Sequence, residues 1–296
     1  MLNSEREEVM TMRKPIKNVL ITLPVASVVL LALTASTTHA TLLIYEPFDY
    51  TDVGDKLHGK GGSELGLTGS WNESGGNEDG NGFEIAASGL SYGSLPTTGK
   101  AVDRPGGPGS SRAERAIAGT VSLPNETWFS ILLQETNNNA AFAIASDPFV
   151  KHAGTLTSTT GVGFGIYRTG GAGGTFTAAI WHPVAGAASR TDSSSPYDLT
   201  GTGLFVGKMT FGATDTLEVW HYASDLTTST SLGTVAIAID ESTLDLINIS
   251  DSGLGVTDEI RVGTSLNDVL VPEPATMALL AFGGIGILMR RRRLRR

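Results

Sequence analysis

The chain has 296 residues, 37 of them glycine and none cysteine, with 30 acids against 21 bases for a formal charge of −9. Without cysteine there is no disulfide framework, no thiolate nucleophile and no Cys-containing metal site. Glycines that follow no strict period exclude collagen, and so acidic a chain is a poor match for nucleic acid.

Met12-Arg13-Lys14-Pro15-Ile16-Lys17 is basic, Val19 to Leu33 is apolar, and Thr38-His39-Ala40 is a small-residue cleavage site. That order is a secretory signal peptide cut after Ala40; an uncleaved anchor is the other reading. Glu5, Glu7 and Glu8 stand where a signal carries no acids, so translation is expected to start at Met12. Of the thirty acids three precede Met12 and one is Glu273; of the 21 bases four precede Val19 and six close the chain. Residues 41–270 therefore carry 26 acids and 11 bases, a charge of −15. They form about 230 residues, the size of one large all-β domain.

Within that span β-rich runs recur between Gly, Pro, Asn, Asp and Ser. The predicted strands are Leu42 to Phe48, Phe83 to Ala87, Ala116 to Leu123, Trp128 to Gln134, Ala141 to Ala145, Val162 to Tyr167, Phe176 to His182, Leu204 to Phe211, Thr216 to Tyr222, Thr234 to Ile239 and Glu259 to Gly263. In Leu217-Glu218-Val219-Trp220-His221-Tyr222 apolar and polar residues alternate, as a half-buried strand requires. Eleven strands with little helical periodicity predict an antiparallel sandwich or jelly roll. Only Glu241 to Ile249 reads as a short helix, and Gly59 to Gly82 and Gly186 to Gly203 read as long loops.

Catalytic motifs fail on their context. Gly89-Leu90-Ser91-Tyr92-Gly93 matches a nucleophile elbow, but Ser94 to Gly99 is turn chemistry where a helix is needed. Gly93 to Lys100 has one residue too many for a phosphate loop, with Ala101 in the Ser/Thr place. Glycosidases on sandwiches place paired carboxylates on one strand face. Here Glu218 stands alone, Asp240-Glu241 lies at a strand end, and the two side chains of Asp258-Glu259 are expected on opposite faces. No two histidines of His39, His58, His152, His182 and His221 share a helical turn or a strand face, so each is expected at the surface. No metal site is assigned; for calcium the oxygen-bearing candidates are Asn77, Asp79, Asn81 and Glu84, without the spacing of an EF-hand. Trp128 and Trp220 are expected in the core, whereas Trp71, in the long loop, is the candidate platform for a sugar ring.

The chain closes on Val271-Pro272-Glu273-Pro274, an apolar run from Ala275 to Met289, and Arg290, Arg291, Arg292, Arg293, Leu294, Arg295, Arg296. The two prolines start any helix at or after Pro274. Fifteen apolar residues span roughly 22 Å at 1.5 Å each, enough to cross a bilayer if the arginines snorkel. The arginines put this end in the cytoplasm and the rest outside.

Residues Val271 to Arg296 resemble the PEP-CTERM sorting signal of Gram-negative bacteria, with Pro272, Glu273 and Pro274 at the motif positions and the helix and basic end in the family's order. That resemblance implies recognition by exosortase, a membrane-embedded cysteine transpeptidase, removal of the helix, and release or transfer to the cell surface, often alongside exopolysaccharide. The blocks LLIYEPFDY, GLTGSWN, FGATDTLEVWHY and DEIRVGTSLNDV also resemble LamG-like, concanavalin A-like sandwich domains, a fold that hosts lectins, hydrolases and adhesive modules. The expectation is a non-enzymatic exported protein. It touches the inner membrane transiently as a precursor, then reaches the cell surface or the extracellular space, in association with polysaccharide or in adhesion. A calcium-dependent lectin or a carbohydrate-active enzyme is the alternative.

Overall fold

The structure, a computed structural model, describes residues 41–270 apart from residues 63, 74–81, 106–110, 136–138, 150–155, 171–173 and 254. Fifteen strands follow in order: β1 (Leu42–Glu46), β2 (Leu67–Asn72), β3 (Glu84–Ile85), β4 (Val102–Asp103), β5 (Ser111–Ile117), β6 (Glu126–Glu135), β7 (Ala140–Ala145) and β8 (Gly163–Arg168). Then come β9 (Phe176–Val184), β10 (Ala187–Asp192), β11 (Gly201–Thr210), β12 (Thr216–Tyr222), β13 (Ser229–Ala236), β14 (Leu246–Asp251), β15 (Val256–Gly263) and the helix α1 (Leu266–Leu270). The first sheet runs β13-β12-β11-β6-β15-β4-β3, with β1 also on β15, and the second runs β10-β9-β8-β7-β14-β5-β2. Every strand pairing is antiparallel. The chain is an all-β sandwich of two antiparallel sheets.

Alternation sets which side chains meet between the sheets. In β6, Phe129, Ile131 and Leu133 enter the core, as do Phe205 and Met209 of β11 and Leu217 and Val219 of β12. Phe142 and Ile144 of β7, Phe164 and Ile166 of β8 and Ile180 of β9 meet them from the second sheet. Ring centroids approach to 5.3 Å between Phe129 and Phe142 and to 4.6 Å between Phe176 and Phe205. Each such side chain contributes roughly 1.5–3 kcal/mol by leaving water.

Each of the eleven predicted strands overlaps an observed one, Ala116 to Leu123 only at its first two residues and Thr234 to Ile239 only at its first three, and four more were not foreseen. β2 lies inside the expected loop from Gly59 to Gly82, and β10 inside that from Gly186 to Gly203. β14 replaces the expected helix from Glu241 to Ile249: only Glu241–Thr243 makes a 3-10 turn, capped by Asp240, and the chain then enters the centre of the second sheet. β4 is a two-residue strand bridging β3 and β15. β5 begins five residues earlier than the predicted Ala116. Among the described residues no helix is long and apolar enough to cross a membrane. The signal peptide with Ala40, and the expected membrane helix from Ala275 to Met289, lie outside the described residues.

Candidate functional site

The described chain ends on the outer face of the first sheet. A tight turn at Thr264-Ser265 is held by Asp268, whose Oδ2 accepts from the Thr264 and Ser265 amides at 2.8 and 2.7 Å and from the Thr264 hydroxyl at 3.0 Å. This folds α1 back onto the sheet. Val269 and Leu270 are buried against Leu95, Leu132, Leu204 and Val206, and the Ser130 hydroxyl donates to the Val269 carbonyl at 2.8 Å. Pro272, Glu273, Pro274 and the six arginines follow directly, outside the described residues.

A second cover on this face is the segment from Gly89 to Gly99. Its Leu90 amide donates to Asp258 Oδ2 at 2.7 Å, its Thr98 amide to Glu259 Oε1 at 2.5 Å, and its Pro96 carbonyl accepts from Arg261 at 2.6 Å. The two carboxylates were expected on opposite faces. Instead β15 shifts register between Asp258 and Arg261, with Glu259 at φ 51°, and both acids turn toward this one segment. Burial pushes the Asp258 carboxyl up to about 8, and the neighbouring Glu259 charge adds to it, while the Leu90 and Glu259 amides and Arg261 pull the other way. A raised carboxyl beside a second acid is the pattern of acid–base chemistry. Yet both residues are at most 1% exposed, and among the described residues their donors are the Leu90, Thr98 and Glu259 amides, Tyr45 and Arg261. Ser91, the would-be nucleophile, is exposed on a turn closed by a Tyr92–Leu95 bridge, with no helix after it.

One strip of the same face is left uncovered by the described residues. Register places Trp128, Lys208 and Glu218 side by side on β6, β11 and β12, and Ser130, Val206 and Trp220 in the next row. Trp128 and Trp220, expected in the core, are half-buried here because both sit on the outward set of the alternation. They stack over the buried Val206 with centroids 6.1 Å apart and planes 17° apart. Lys208 Nζ lies 5.8 Å from the Trp128 ring and 3.0 Å from Glu218, and the Trp128 indole donates to Glu126 at 2.9 Å.

Trp71 is the reverse case. It is 1% exposed, stacked on Phe48, and its indole donates to Glu46 Oε2 at 3.0 Å, so it cannot serve as a sugar platform. It sits on an inward position of β2, the strand hidden inside the expected loop. Of the calcium candidates Asn77, Asp79 and Asn81 lie outside the described residues, and Glu84 is held by Lys56 at 2.6 Å. Glu73, which sequence reasoning missed, accepts from the Phe83 amide, and burial pushes its carboxyl up to about 7. No group of three or more His, Asp or Glu residues that could hold a metal occurs among the described residues. Of the described histidines His58 is exposed, as expected, whereas His221 is half-buried and stacks on Tyr197 with centroids 4.4 Å apart. His182 bonds Thr191, and burial lowers the His221 imidazole below its ordinary value.

The outer face of the second sheet is floored by small residues, Ala141, Ala143, Ala145 and Ala179, with Gly163 and Gly165 paired between them. Phe149 and Leu156 pack on that floor together with Trp181, which explains why residues there are small. Trp181 Nε1 and Asn248 Oδ1 are buried beneath this cover without a hydrogen-bond partner among the described residues.

Set beside known proteins, the chain is matched at its end. No curated protein matches its sequence. Among solved structures, the globular domain of T. cruzi calreticulin is similar at 11% identity, over 83% of this chain and 95% of that one, with a TM-score of 0.45. An endo-β-1,4-glucuronan lyase from Trichoderma reesei is similar at 11% identity, over 77% and 98%, with a TM-score of 0.39. The exoplasmic/lumenal domain of VIP36 in its Ca2+/Man-bound form is similar at 9% identity, over 77% and 92%, with a TM-score of 0.42. Residues 270–293 match the PEP-CTERM protein-sorting motif, which thus begins at the last described residue.

Proposed function

We propose that the chain is the precursor of a non-enzymatic, exported surface or matrix protein, sorted by exosortase at Pro272-Glu273-Pro274. In this reading the apolar run and arginines hold the precursor in the inner membrane, and processing leaves a concanavalin A-like sandwich that associates with extracellular polysaccharide or serves adhesion. The carrying observation is the sorting motif at residues 270–293, which begins on the last residue of α1. The test is to compare the protein from cells with intact and deleted exosortase by mass spectrometry. Loss of the six-arginine tail only where exosortase is present is the expected result; a surface-exposed form that keeps the tail in both strains overturns it.

For the mature domain, binding to the producing cells' exopolysaccharide is measured with and without a chelator. Binding that survives chelation supports the reading. Binding abolished by it turns the assignment to a calcium-dependent lectin, and turnover of the polysaccharide to an enzyme.

A further inference from the structure

We infer that the Trp128–Trp220 strip is the surface on which the precursor's sandwich rests against the membrane while the sorting motif is presented. The inference rests on the sorting reading above and adds an orientation to it. Leu270 is buried on the outer face of the first sheet, and the apolar run begins at Ala275. Five residues of fully extended chain span at most about 18 Å. The polar headgroup layer alone takes up roughly 6 Å of that, half the difference between total and hydrocarbon thickness. A sandwich tethered so closely must turn toward the membrane the face its tether leaves from.

Among the described residues that face is uncovered from Trp128 and Trp220 out to the edge strand β13, and the tryptophans adjoin the tether. The Val269 carbonyl is fixed on Ser130, and Trp128 lies two residues along the same strand, roughly 7 Å away. Trp128 packs at the rim of the apolar cluster that holds Leu270. The patch has the composition of an interfacial belt: two half-buried indoles with a lysine beside them. Indole suits the headgroup zone because an apolar body and one polar N–H are both satisfied there. The domain carries a charge of −15 overall, yet the acids at this strip are engaged, Glu218 by Lys208 and Glu126 by the Trp128 indole.

The experiment uses the full chain reconstituted into phosphatidylcholine/phosphatidylglycerol vesicles with and without brominated acyl chains, which quench only indoles at the bilayer. The chain has four tryptophans, of which Trp71 and Trp181 are sealed in the protein and serve as the internal reference. Quenching of about half the emission is expected if the four emit equally, and its loss in Trp128→Phe/Trp220→Phe, whose fold is checked by circular dichroism. Chain that floats with the vesicles but shows no quenching, or quenching that persists in the double variant, overturns the orientation and leaves the sorting reading standing. Chain that does not float removes both. A response of the same two indoles to soluble alginate or dextran without vesicles overturns the inference in favour of a sugar-stacking surface.

Discussion

Arg115 can lie between the sheets because its surroundings were built for it. Its guanidinium donates to Glu46 at 2.6 Å, Tyr50 at 3.2 Å, Glu64 at 2.5 Å and the Gly62 and Gly69 carbonyls at 3.3 and 3.2 Å. Glu46 in turn accepts from Trp71, Tyr50 and the Phe48 amide. Removing one partner strands a buried charge, which costs about 3–5 kcal/mol, whereas removing both is far milder. Arg115→Met should therefore lower the thermal midpoint sharply, and Glu46→Gln/Arg115→Met should recover part of the loss. A double variant no better than the single shows that the pair is not what matters. Glycines can be separated in the same way. Gly54 and Gly66 both have positive φ, 81° and 72°, but an added Cβ meets nothing at Gly54 and would stand 2.0 Å from the Leu43 carbonyl oxygen at Gly66. Gly54→Ala is expected to cost about 1 kcal/mol, the strain of the left-handed backbone alone. Gly66→Ala should cost several times more, as read by chemical denaturation.

At the scale of elements, β9 and β10 are joined by Ala185-Gly186, both at positive φ, 49° and 75°. This is a two-residue turn whose favoured sequence is Asn-Gly. Ala185→Asn keeps the geometry and relieves the strain, so a gain of about 0.5–1 kcal/mol in unfolding free energy is expected; a loss would mean that the turn is not of this type. The same alanine explains why β10 was illegible in the sequence, since neither turn chemistry nor alternation marks Ala-Ala-Ser-Arg-Thr-Asp. β14 was misread for a related reason: Leu246-Ile247-Asn248-Ile249 follows a capped 3-10 turn, and only pairing with β5 and β7 decides it. Trp71 was misplaced because β2 lies inside a Gly-rich stretch and its inward residue is visible only once Glu46 is beside it. The strands of strong alternation, β6, β11 and β12, were legible, but periodicity could not say which of their faces was the core. That is why Trp128 and Trp220 were assigned inward. The Gly89 to Gly99 segment gives a further test through Asp258. Asp258→Asn leaves one amide without its acceptor at every pH, but should also flatten the stability–pH slope between about pH 4 and 8. An unchanged slope would mean that Asp258 does not titrate there.

For the molecule as a whole, Asp258 near 8 and Glu73 near 7 both hold protons in the folded state that the unfolded chain has released by about pH 4–5. Their stabilisation is complete below the unfolded values and is lost as pH rises through the folded ones. Relief of the −15 self-repulsion on acidification works in the same direction. The thermal midpoint of residues 41–270 should accordingly fall from pH 5 to pH 8.5 by scanning calorimetry, and a midpoint that rises over that range contradicts the burial of both carboxyls. A last consequence concerns time rather than energy. The final two strands occupy interior places in the two sheets: β14 joins β7 to β5, and β15 joins β6 to β4 while also holding β1. A chain that emerges from its beginning cannot close the second sheet until Asp251 is out, nor the first until Gly263 is. Until then the two halves of each sheet have no strand between them, and these long-range pairings form last. Under the proposed export, the sandwich is therefore completed by the strand that lies nearest in sequence to the sorting motif, so closing of the fold and presentation of the motif fall together.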